Sequence, residues 1–372
     1  MPPLPTGTPE ALNLDPARLR QADAILQRWV ETDRIPAAAL CVGRSSRALP
    51  PRLFGSQRPG PGAPPLRPDA LFLLASITKP VTALAVVMLV ERGLLSLNDR
   101  VADLLPDFAR NGKQDIRILH LLTHTSGLPD MVPDNLRLRR DHQPLSAFVE
   151  RTCRLAPAFR PGAAVQYQST GFAILAELVH QASGRLLPEF LTQEVFAPLG
   201  MDDSSLGWVA SRRERIAAVR TPPEQGADWG WNSPYWLGLG VPWGGLIASP
   251  SDLARLCMMM FGGGALGGVR VLSAAAVRAM TTNQLATIPE TPEDERRCRP
   301  WGLGWRLNWP GQPSSFGDLL GPKTYGHWGA TGTLCWLDPD SGVFMILLTT
   351  QPLEADGRFL ARVSNVVASA IR

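Results

Sequence analysis

Lysine and tyrosine are scarce in this chain, with three of each among 372 residues, and arginine carries nearly all the positive charge. The five cysteines (Cys41, Cys153, Cys257, Cys298 and Cys335) form no CxxC pair and are odd in number and widely spaced. That excludes a disulfide framework or a cysteine-built zinc site and implies reduced thiols packed as small apolar groups. No apolar run reaches the eighteen or so residues of a membrane span. Val81 to Val90 suits only a buried helix. The opening MPPLPTGTPE lacks the basic start and apolar stretch of a secretory signal, so a soluble, cytoplasmic protein is expected. The densest basic cluster, Arg137 to Arg140, is brief and has no aromatic interleaving, so no nucleic-acid partner is expected. GGGALGG at 262–268 lacks the lysine and strand–helix context of a nucleotide loop, and no G-x-S-x-G elbow occurs. His120 and His124 stand four apart, but no H-E-x-x-H or third ligand accompanies them. Neither a cofactor nor a metal is expected.

The composition, 45% hydrophobic and 19% charged with a net charge of +4, is that of a globular protein with ample core material. Asp15-Pro16 opens a helix whose Leu19, Ala22, Leu26, Trp29 and Val30 recur at helical spacing. Ala37 to Val42 reads as a strand, and 44–69 as an extended hairpin with a loose connection. Leu71 to Ala75 reads as a buried strand or approach segment, and a helix runs from Ser76 to Arg92, where Gly93 stops it. Residues 94–205 are mainly helical in pattern. A tryptophan-rich stretch (Trp208, Trp229, Trp231, Trp236, Trp243) follows, whose rings serve as anchors or line an acyl or aryl pocket. Ser249-Pro250-Ser251-Asp252 begins another helix. Residues 286–300 read as a polar surface loop. The last seventy residues read as strands, with a hairpin at Asp340-Ser341-Gly342, and then one helix. The expectation is an α+β, three-layer fold. An antiparallel sheet from residues 1–75 and 245–372 is flanked by helices, residues 76–244 insert a mainly helical domain, and the site lies at the junction.

Three stretches carry chemistry. In FLLASITKP, Ser76 precedes one of the three lysines, Lys79, by one helical turn. A serine hydroxyl needs a base to become a nucleophile, and residues i and i+3 share a helical face. Burial beside Val81 and Leu84 would lower the amine's pKa, and the Ser76 N–H at a first turn is free to face an oxyanion. In YQST, Tyr167 precedes a helix, and a neighbouring lysine would favour its phenolate and let it act as a base. In GHWGATGT, His327 and Gly329 alternate onto one strand face. Glycine there would let a substrate approach the backbone, and the Ala330 N–H would supply the second oxyanion donor.

Together Ser76-Ile77-Thr78-Lys79, Tyr167-Gln168-Ser169 and His327-Trp328-Gly329 resemble, in order and spacing, the motifs of the serine β-lactamase and penicillin-binding-protein superfamily. The resemblance is to the branch that includes class C β-lactamases and family VIII carboxylesterases, and it spans roughly residues 18 to 371, including HLLTHTSGLPD and PWGGLIASPSDLARL. It implies a serine hydrolase of the β-lactamase fold that acts on a small-molecule ester or amide. Ser76, Lys79 and Tyr167 would be catalytic, either Lys79 or Tyr167 serving as base. Ser76 and Ala330 would form the oxyanion hole, and Ser169, His327, Trp328 and Gly329 would meet substrate, with His327 alternatively orienting Tyr167. His327 stands where a lactamase keeps lysine and Ser169 where it keeps asparagine, which favours neutral esters. Lys323-Thr324-Tyr325 is not the third motif, because tyrosine occupies the glycine position. The expected activity is that of a carboxylesterase on short-chain or aryl esters. A weak β-lactamase, a D-amino-acid peptidase or amidase, an acyltransferase and a non-catalytic binding protein are the alternatives.

Overall fold

The computed structural model describes residues 4–222, 225–309, 316–354 and 358–372. The first helix, α1 (Pro16–Glu31), starts where Asp15 accepts the Ala17 and Arg18 N–H groups, and buries Leu19, Ala22, Leu26 and Trp29. Strand β1 (Ala37–Arg44) follows, then β2 (Arg47–Ala48) and β3 (Arg52–Gly55), both antiparallel to β1. The approach segment is a strand only at β4 (Phe72–Leu73), and α2 covers Thr78–Glu91. Of the helices between 94 and 205, two matter here: α3 (Leu145–Cys153) and α4 (Thr170–Ser183). Strands β5 (Ser205–Leu206) and β6 (Leu246–Ala248) join β4 in a small antiparallel sheet.

Ser249 caps α5 (Pro250–Phe261) by accepting the Asp252 N–H. Residues 286–300 lie mostly at the surface, as expected, but are not loop throughout. They carry α6 (Glu293–Cys298), and Thr291 and Glu295 bond to Gly162 and Val165, which ties the segment down. Strands β7 (Arg306–Leu307), β8 (Tyr325–Gly329), β9 (Thr333–Asp338) and β10 (Val343–Thr349) follow. The closing helix, α7, covers Arg358–Ala368. Asp356 and Gly357, which open the C-terminal stretch that reads as helix, lie outside the described residues, as do Pro223 and Glu224 of the tryptophan-rich stretch.

The main sheet runs β2-β1-β10-β9-β8-β7, antiparallel throughout, so it joins the first strands of the chain to the last. Both faces are covered. Ala38, Leu40, Val42, Met345 and Leu347 pack with α1 and α7, whereas Ala39, Cys41, Ile346 and Leu348 belong to the core shared with α2, α4 and α5. That explains why β1 and β10 read as continuous apolar runs. Helix α2 is apolar all round because it is enclosed, its residues buried from Thr78 to Leu89. Each aliphatic side chain so buried contributes about 1.5–3 kcal/mol.

Candidate active site

Ser76 sits in a 3-10 turn, Ala75–Ile77, leading into α2. The turn is strained, with Ala75 at φ 48°, a left-handed conformation that costs a residue with a side chain about 1–2 kcal/mol. Several bonds impose it. The Thr78 hydroxyl donates to Ala75 O (2.6 Å) and accepts the Leu246 N–H (3.0 Å). Thr331 and Thr333 donate to Leu73 O (2.7 Å) and Leu74 O (2.8 Å). Strain held this firmly by its surroundings is characteristic of functional positions.

Lys79 is fully buried, with Nζ 2.9 Å from Ser76 Oγ and 3.1 Å from Trp243 O. Burial pushes its amine down to about 7, with Asp130 acting in the opposite direction. A neutral amine has two N–H groups and one lone pair. Because a carbonyl can only accept, one N–H goes to Trp243 O, and the lone pair is left for the serine proton.

The amine also lies 4.6 Å from the centroid of the Tyr167 ring, over its face. The structure therefore brings 76, 79 and 167 together. It corrects the expected phenolate: burial raises the Tyr167 pKa well above its ordinary value, and Asp130 raises it further, while the Ser76 hydroxyl only partly offsets them. The phenol oxygen lies near Ser76 but makes no well-formed hydrogen bond among the described residues.

His327, on β8, is fully buried. Its Nδ1 lies 2.7 Å from Trp328 O, an acceptor, so Nδ1 carries the proton and Nε2 is bare. Burial, with Lys79 second, lowers its pKa to about 3, and the ring is neutral. Trp328 is half-buried and stacks against Tyr167 at 6.1 Å. Ser169 is buried and donates to Asp130 Oδ1 (2.7 Å). The expected role of Gly329 is corrected. A Cβ there would lie 2.2 Å from Thr333 Oγ1 and 2.3 Å from Leu74 O, so the missing side chain makes room for the Ser76 turn, not for substrate. Close packing of that turn on β8 brings Ala330 beside it, and no acceptor among the described residues takes the Ala330 N–H. Gly329→Ala is expected to push the turn off β8, costing about 3 kcal/mol of stability and at least about a hundredfold in kcat. Thermal unfolding and ester kinetics check this, and an alanine variant of native activity would contradict it.

Sequence reasoning missed three neighbours. His124 stacks on Tyr167 (4.7 Å) and meets Trp301 edge-on (4.2 Å). Its Nδ1 accepts the Gln168 N–H (3.1 Å), and burial keeps the ring neutral. Its signals were its place in HLLTHTSGLPD and its helical spacing from His120, whose Nδ1 likewise accepts a backbone N–H, from Arg117. Trp301 faces Tyr167, His327 and Trp328 from just beyond the expected loop. Asp130, inside HLLTHTSGLPD, bonds with Ser169. Trp229, Trp236 and Trp243 are buried anchors. The Arg139 guanidinium lies between the first two, 5.0 and 4.1 Å from their rings.

No helix among the described residues is long and apolar enough to cross a membrane. The family described as Beta-lactamase matches residues 22–368. Penicillin-binding protein 4 of Amycolatopsis lactamdurans is 33% identical, over 76% of this chain and 72% of its own length. A protein of Escherichia coli K12 bearing the proposed name D-alanyl-D-alanine carboxypeptidase is 26% identical, over 94% of this chain and 86% of its own. The solved structure of a family VIII carboxylesterase superposes with a TM-score of 0.74 at 22% identity, covering 95% of this chain and 98% of that one. With its fold and the match along nearly its whole length in agreement, the chain belongs to the β-lactamase family and is a serine hydrolase.

Proposed function

We propose that this serine hydrolase is a carboxylesterase that cleaves short-chain or aryl esters through an acyl-enzyme on Ser76. The observation that carries the reading is His327, neutral and buried where a lactamase keeps a lysine. A substrate carboxylate, in a penicillin or at a peptide C-terminus, would find no fixed positive charge there, whereas a neutral ester needs none. The family VIII carboxylesterase that shares the fold supports the same reading.

The cycle runs on the proton affinities of two groups. Lys79, neutral near pH 7, takes the Ser76 proton as Oγ attacks the ester carbonyl. Tyr167, held as a phenol, is the acid. It protonates the departing alkoxide and is reprotonated by the Lys79 ammonium, which restores the free amine. The Ser76 and Ala330 N–H groups hold the oxyanion, each contributing about 3 kcal/mol. Water then attacks the acyl-enzyme by the same route. Ser169, His327 and Trp328 hold the walls around Tyr167.

The second reading, a peptidase or weak β-lactamase, rests on the names of the relatives. Comparing kcat/KM for p-nitrophenyl butyrate, nitrocefin and a D-alanyl-D-alanine-terminated peptide separates the two. We expect the ester to lead by roughly a hundredfold, the effect of one missing charged partner at about 3 kcal/mol. Nitrocefin or the peptide turning over as fast as the ester would overturn the reading.

A further inference from the structure

The charges that remain around Ser76 are uneven. Lys79 lies near its neutral point, and His124 and His327 are uncharged. Asp130 is exposed, and among the described residues it forms no ion pair with any lysine or arginine. It is nonetheless fixed in place. Its Oδ1 accepts the Ser169 hydroxyl, its carbonyl accepts the Ser169 and Thr170 N–H groups (3.0 and 3.1 Å), and Thr170 Oγ1 bonds the preceding carbonyl of Pro129 (2.6 Å). Those residues directly follow Tyr167 in the chain. Its charge also reaches both reacting groups, favouring the ammonium of Lys79 and opposing ionisation of Tyr167. Arg306 is, after Lys79, the second cation felt by both histidines; it lies over Trp301, and its guanidinium bonds the carbonyls of Pro300 and Cys298.

We infer that Asp130 is a specificity-determining residue, and that the site prefers esters carrying a cation within a few atoms of the scissile carbonyl. The inference rests on the esterase reading and narrows it to cationic substrates. Ser169 occupies one carboxylate oxygen, and Oδ2 accepts no hydrogen bond from the described residues. An ammonium would satisfy that oxygen, while a substrate carboxylate would meet repulsion from Asp130.

Two isosteric pairs test this. One compares the p-nitrophenyl esters of β-alanine and butyric acid, which place or omit an ammonium on the acyl side. The other compares choline acetate with 3,3-dimethylbutyl acetate, which do the same on the alcohol side. Each rate is divided by the rate of spontaneous hydrolysis, so that intrinsic reactivity cancels. In at least one pair the cationic ester is expected to show a roughly two- to fivefold higher kcat/KM, the scale of a solvated ion pair. That preference should shrink in 1 M NaCl and collapse in Asp130→Asn. The asparagine keeps an oxygen to accept from Ser169, so the turn survives and only the charge is lost. Absence of a preference in both pairs, or a preference that survives Asp130→Asn, overturns the inference while the esterase reading stands. If none of the four esters is hydrolysed, the esterase reading itself fails, and the inference with it.

Discussion

Ser76→Ala is expected to lower kcat/KM for p-nitrophenyl butyrate by at least about ten-thousandfold, because removing a serine nucleophile costs up to about a millionfold in other serine hydrolases. The residual rate would come from binding and the oxyanion donors alone. The alanine leaves the local structure whole. Ser76 is only partly buried, and the bonds that hold its turn come from Thr78, Thr331 and Thr333. The melting temperature should therefore stay within about 2 °C of native. Intact-mass analysis after exposure to a fluorophosphonate gives a second readout, with one adduct on the native chain and none on the variant. Turnover that persists in a folded, unlabelled Ser76→Ala protein would place the chemistry elsewhere and remove the basis of the proposed cycle.

Lys79→Met is expected to abolish esterase activity and yet make the protein more stable. In the native chain kcat/KM should rise with pH through about 7 and then level off, because the form able to take the serine proton is the neutral amine. The same burial has a consequence for folding. The native amine binds its proton less tightly than the unfolded one, so between about 7 and the ordinary lysine value of about 10.4 the unfolded state holds more protons. Stability from this group therefore increases with pH across that window, and its full penalty, roughly 4–5 kcal/mol, applies below about 7. Methionine removes the penalty but gives up the bonds to Ser76 Oγ and Trp243 O, each worth about 1 kcal/mol. A net gain on the order of 2 kcal/mol, or a few degrees in melting temperature, is expected at pH 6, falling to nothing near about pH 9, where the remaining penalty equals the worth of the two lost bonds. A flat pH–rate profile between 6 and 8 would show that Lys79 is not the base. A Lys79→Met variant that melts earlier than the native chain at pH 6 would show that the amine is not desolvated as the structure implies.

What could be read from the letters alone was whatever a few neighbouring residues decide among themselves. Asp15 and Ser249 cap their helices because a side-chain oxygen reaches an N–H two or three residues on. Ser76 and Lys79 meet because one helical turn separates them. The apolar runs that became β1 and β10 signalled strands. Motif order then implied the convergence of Tyr167 and the family. Packing between distant segments decided the rest. Desolvation of Lys79 and Tyr167 is a property of the enclosed site, so only the folded chain shows that the lysine is near neutral and the tyrosine stays a phenol. Gly329 is required by the carbonyl of Leu74, just past β4 and more than 250 residues earlier in the chain. His124, Trp301 and Asp130 join the site through contacts that no local periodicity encodes. Spacing along the chain states which groups can be neighbours; the dielectric and the partners around each group, which set its charge, arise only when remote segments exclude water together.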